Sequence, residues 1–137
     1  MPTSAARASL ALAALLATLA PHAGACGVCV EDRVAAVYDH AVVEGAYRKG
    51  HAVAFLAIEG ADAGGARSVR AALGAVPGIE AGSVRVSVES ASCSVAFDPA
   101  RASAAAIAAE ANRRLARSRT RLSLLRVGRP GSGLAHD

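Results

Sequence analysis

The chain is poor in aromatic side chains, which make up 3% of its 137 residues, although 53% of the residues are hydrophobic. Its core must therefore be built from Ala, Val, Leu and Ile. Each of these removes little apolar area from water, at about 25 cal/mol per Å², which predicts a stable domain of ordinary stability. No aromatic residue interleaves with the arginines, so base stacking is not expected and nucleic acid is not an expected partner. No apolar run reaches the roughly 20 residues that span a bilayer as a helix. No Ser-His-Asp set, paired-carboxylate arrangement or phosphate loop is present, and the chain is not expected to be an enzyme.

Acid is also scarce toward the end of the chain. The formal net charge is +4, and between Arg101 and Arg129 there are eight arginines and one acid, Glu110. Arg113, Arg114, Arg117, Arg119 and Arg121 form the densest part. Such a stripe is most simply a solvated helix face running into an edge strand, and its charge would suit an acidic protein partner.

At the start, Arg7 precedes the apolar stretch Ala8–Ala20, Pro21 and His22 break it, and Ala23-Gly24-Ala25 follows. Charge, short apolar run and small-x-small is the order of a secretory signal peptide. Cleavage after Ala25 would send a chain beginning at Cys26 to the periplasm or the exterior. A lipid on Cys26 is an alternative fate, and the one route by which a membrane would become a partner. The position three residues before it is Ala23, where lipid attachment signals usually have Leu.

The expected organisation is a signal peptide over 1–25, a helix carrying two cysteines over 26–50, a domain over 51–128 and a loose tail over 129–137. Val30, Val34, Val37, Tyr38, Ala41 and Val42 recur at helical spacing and predict one helix up to Lys49. Gly50 closes it. Ala52–Ile58 is a short apolar run that suits a buried strand. Ala66, Val69, Leu73 and Val76 predict a helix stopped by Pro77-Gly78. Val84, Val86 and Val88, then Cys93, Val95 and Phe97, alternate with polar or small residues and predict a hairpin. Ser103 is an expected N-cap for a helix with Ala104, Ile107, Ala111 and Leu115 on its apolar stripe. Arg121–Val127 predicts a last strand. The order β-α-β-β-α-β predicts an α+β, ferredoxin-like sandwich, with two helices on one face of a four-stranded antiparallel sheet and one extra N-terminal helix.

Three stretches resemble the heavy-metal-associated domain of copper chaperones, periplasmic mercury-binding proteins and metal-pump N-terminal domains. They are Gly60-Ala61-Asp62-Ala63-Gly64-Gly65-Ala66, Val76-Pro77-Gly78-Ile79 and Val95-Ala96-Phe97-Asp98-Pro99. In that family the first stretch reads G-M-T-C-G-G-C, the second L-P-G-V, and the third ends V-x-[YF]-D-P. The resemblance implies the ferredoxin-like fold. It also implies a site for a soft ion such as Cu(I) or Hg(II), but the family's two cysteines fall on Ala63 and Ala66 and its methionine on Ala61. Alanine has no lone pair to offer, so the chain resembles a degenerate member.

The thiols it does have are Cys26, Cys29 and Cys93. Cys26-Gly27-Val28-Cys29 opens the first helix, where partial positive charge favours a thiolate. Cys26 and Cys29 are the candidate metal ligands, for Cu(I) or another soft ion. A disulfide, catalytic or inert, uses the same pair. Cys93 is expected to be a buried apolar residue. His40 lies eleven residues after Cys29, about 16 Å along a helix, too far to share an ion. His51 and His136 have no partner in the sequence, and Glu31, Asp32 and Asp39 are expected on a polar helix face. Three functions follow: soft-metal binding or trafficking outside the cytoplasm, a non-metal protein-interaction module on the same scaffold, and a thiol-disulfide redox protein.

Overall fold

The structure, a computed structural model, describes residues 29–60 and 64–132. The expected signal peptide, Cys26, the loop residues 61–63 and the end of the tail with His136 lie outside the described residues. Elements run α1 (Val30–Ala36), α2 (His40–Arg48), β1 (Ala52–Glu59), α3 (Gly65–Gly74), β2 (Arg85–Ser87), β3 (Ser92–Phe97), α4 (Ala104–Arg114) and β4 (Arg121–Gly128). The strands form one antiparallel sheet in the order β2-β3-β1-β4. That is the ferredoxin-like plan expected from the pattern, two β-α-β halves sharing a sheet.

The layering differs from the expectation in one respect. Helices cover both faces of the sheet. On one face α3 and α4 bury Ala54, Leu56 and Ile58 of β1 and Cys93, Val95 and Phe97 of β3, with Val69, Leu73, Ile107 and Ala111 above them. On the other face Val34, Val37, Val43 and Ala46 of the first two helices and their linker cover Val53, Phe55 and Ala96. This is why β1 is an unbroken apolar run: seven of its eight positions are buried. A strand covered on both faces has no solvent side to mark with polar residues.

The N-terminal segment is two helices, a correction to the single helix expected from the apolar spacing. Asp39 makes the break. Its backbone is extended and its carboxylate accepts a hydrogen bond from Val42 N at 3.1 Å, so it N-caps α2. The N-terminus of a helix needs such an acceptor for its unpaired N–H groups. Between the helices the Tyr38 ring stacks on Phe55, with centroids 6.4 Å apart. At the far end Gly50 takes φ +74, the left-handed conformation in which a helix commonly stops.

Serines on β3 also fasten the added layer. Ser92 and Ser94 are buried, and their hydroxyls donate to the Arg33 and Val37 carbonyls at 2.9 and 2.7 Å. These carbonyls lie near the end of α1, where no further helical turn supplies N–H partners. The last strand pairs with β1 through a bulge between Phe55 and Leu56. The extra residue resets the alternation, so Leu122 and Val127, five positions apart, both pack on the α3 and α4 side.

Candidate functional site

The N-terminal thiol segment is the first candidate. Cys29 is the N-cap residue of α1, with extended backbone (φ −65, ψ 161), and its carbonyl accepts the first helical hydrogen bond, from Arg33 N at 3.1 Å. Its side chain makes no cap bond. The exposed thiol instead donates to the Asp32 carboxylate at 2.9 Å. Asp32, read from sequence only as a polar-face residue, thus sits against the sulfur. The signal was the spacing of three at a helix start, which places the two side chains on one turn. Cys26, the other expected ligand, lies outside the described residues.

Cys93 is fully buried beneath α3 and α4. Burial pushes its thiol up to about 12, because the interior disfavours the thiolate. It packs as an apolar residue, as expected.

The loop that holds metal in the resembling family leads into α3. Ala66 stands in the first turn of that helix. Its methyl group coordinates nothing. Among the described residues, no group of three or more His, Cys, Asp or Glu side chains is placed to hold a metal ion.

Three carboxylates and their partners fasten α1 and α2 to the sandwich. Arg85 of β2 donates through Nε to Asp39 at 2.8 Å, and Arg126 of β4 pairs with Glu31 at the start of α1. Glu80, in the loop after α3, bonds to Lys49 and lies 3.2 Å from His51 Nδ1. In each case a cation bonded to the carboxylate holds it below its usual range: Arg85 for Asp39, Arg126 for Glu31, Lys49 for Glu80. His51 therefore has a partner that sequence could not supply, because Glu80 is 29 residues away. His40 begins α2, with the α1–α2 break between it and Cys29.

The arginine stripe runs from α4 into β4. Glu110 takes both Arg113 and Arg114, which lowers its pKa, chiefly through the Arg113 bond. Arg117 and Arg119, in the α4–β4 connection, have no ion pair among the described residues. No helix among the described residues is long and apolar enough to cross a membrane.

No family model and no curated protein matches the chain. Among solved structures it is similar to oxidized MerP from Ralstonia metallidurans CH34, at 21% identity and a TM-score of 0.45, over 54% of this chain and 96% of that one. With its β2-β3-β1-β4 sheet, the chain carries a ferredoxin-like domain that resembles the heavy-metal-associated type in degenerate form, with alanine at position 66 in the first turn of α3.

Proposed function

We propose that the chain is an exported, non-catalytic protein that binds or passes on a soft metal ion such as Cu(I), with Cys26 and Cys29 as its ligands. The observation that supports this most is how burial sorts the thiols. Cys93 is sealed in the core, Ala66 offers nothing, and Cys29 is exposed at the start of α1 with a second cysteine three residues before it. Two thiolates suit a low-coordinate soft ion and release it by ligand exchange. Asp32 adds a carboxylate beside the sulfur. It accepts the thiol proton's hydrogen bond in the metal-free protein.

Anaerobic Cu(I) titration of the reduced protein against a competing chelator tests the reading. Near one-to-one binding is expected, and Cys26→Ser with Cys29→Ser together should abolish it. Unchanged affinity in that double variant would refute the proposal. Intact mass after thiol trapping distinguishes the redox alternative, which needs a Cys26–Cys29 disulfide in the exported protein and turnover in a disulfide-reduction assay.

A further inference from the structure

Two adjoining cavities of about 460 and 380 Å³ lie on the side of the molecule opposite α1 and α2, and both are lined by Ser68 and Ser118. Together they make one trough along the outer side of α3. At its base lie the buried Ala72 and Leu115, and α3 lines it with the small exposed side chains Ser68, Ala71 and Ala75. Its wall is the end of α4 and the α4–β4 connection, with Arg114, Arg117 and Arg119. No carboxylate among the described residues lines either cavity, and Glu110, which holds Arg114 at 3.0 Å, faces two guanidiniums at once. The trough therefore has a net positive wall on one side and, along α3, side chains small enough for a backbone to approach closely.

From this juxtaposition we infer that the α3–α4 trough is a docking groove for an extended, acidic segment of a partner protein. Guanidiniums pair in forked geometry with carboxylates, and Arg117 and Arg119 have their donors uncommitted to any acid among the described residues. From Ser68 to Ala75 the helix rises about 10 Å, the span of three or four extended residues. A bilayer would need apolar side chains to insert, and the large exposed hydrophobics, Val30, Tyr38, Val88 and Leu124, line neither cavity. Single-stranded nucleic acid would need an aromatic platform, and none lines the trough. The groove is independent of the thiols, so its test is run on metal-free protein with Cys26 and Cys29 intact.

The probe is a fluorescent peptide of alternating Asp and Gly, about eight residues long, followed by anisotropy at about 0.15 M salt, where surface charge is screened beyond about 8 Å. Saturable binding is expected. Ala71→Trp, which places a large ring in the trough from its exposed α3 side and leaves charge unchanged, should weaken it at least tenfold. Arg117→Gln with Arg119→Gln should do the same, and Arg129→Gln, outside the trough, should leave it unchanged. Circular dichroism of each variant confirms the fold. Wild-type affinity in Ala71→Trp would reduce the effect to net charge and overturn the groove. Equal loss in Arg129→Gln would do so as well, as would phosphatidylglycerol vesicles or oligo(dT) binding more tightly than the peptide.

Discussion

Burial alone sets apart two thiols of the same chemistry. Cys29 stands in solvent beside Asp32, and Cys93 lies under Leu73 and Ile107 in the main core. An alkylating reagent should therefore modify Cys29 in the native protein and reach Cys93 only after denaturation, which peptide mass mapping can read. Equal native labelling of both would contradict the core described here. The same burial has a pH consequence. Cys93 is raised from its ordinary 9.0 to about 12, so the unfolded chain releases this proton first as pH rises. Its contribution to stability is complete below pH 9 and is lost as pH climbs through about 12. Denaturation midpoints should fall over that window, and the fall should be shallower in Cys93→Ala. Gly60 is constrained differently. It sits at φ +70, and a Cβ there would come 2.2 Å from the Arg119 carbonyl oxygen, so its replacement would force apart β1's exit and the wall of the trough.

At the scale of elements, what the sequence made legible and what it hid have the same cause. The hairpin, α4 with its Ser103 cap, and β1 could be read because alternation, spacing and a capping residue are local. The second helical layer could not. Ser92 and Ser94 alternate with apolar residues and so look like a solvent face, yet both are buried. Two hydroxyls small enough to pack are satisfied there by carbonyls at and just after the end of α1, 59 and 57 residues away. Asp39 was hidden likewise. It occupies a polar position in a continuous apolar pattern, and only its bond to Val42 N reveals that the helix restarts. The candidate site was legible in its residue types, and its geometry was not, because Asp32 had no visible reason to bond a thiol. The layer has a weak point that follows from its fastenings. Asp39, Glu80 and Glu31 each join it to the sandwich with a pKa lowered by Arg85, Lys49 and Arg126. A carboxylate whose folded pKa is lowered contributes stability that is present above its ordinary value and lost as pH falls through the folded one. Amide exchange should therefore rise in residues 30–48 before it rises in β1 and β3 as pH is lowered below the ordinary carboxylate range, and high salt should act in the same direction. Simultaneous loss of protection in both layers would show that apolar contact, not charge, holds the helices down. Ser94→Ala isolates the remaining fastening. It leaves the Val37 carbonyl without its hydroxyl partner and should cost about 1–3 kcal/mol in denaturant titration.

For the whole molecule, two covered faces predict that the ferredoxin-like unit is not self-sufficient in this chain. A two-layer version would leave the face of Val53, Phe55 and Ala96 in water, and a wet face would favour polar residues there. Here that face carries a phenylalanine 1% exposed and a valine fully buried, both beneath α1 and α2. Burying one such side chain stabilises by about 1.5–3 kcal/mol, and the apolar residues of the helices that cover them lose their own burial as well. A chain starting at His51 keeps every strand and both α3 and α4. It should nonetheless lose at least about 3 kcal/mol of stability, and it should self-associate through the bared sheet, since a contiguous apolar patch of this kind seeks a partner. Sedimentation velocity and thermal melting of the truncated chain decide the matter. A monomer melting with the intact protein would mean that α1 and α2 merely carry the thiols. Association and a lowered melting point would mean that the segment bearing Cys29 is also half of the fold, so that any ion held at its start is linked to the stability of the sheet beneath it.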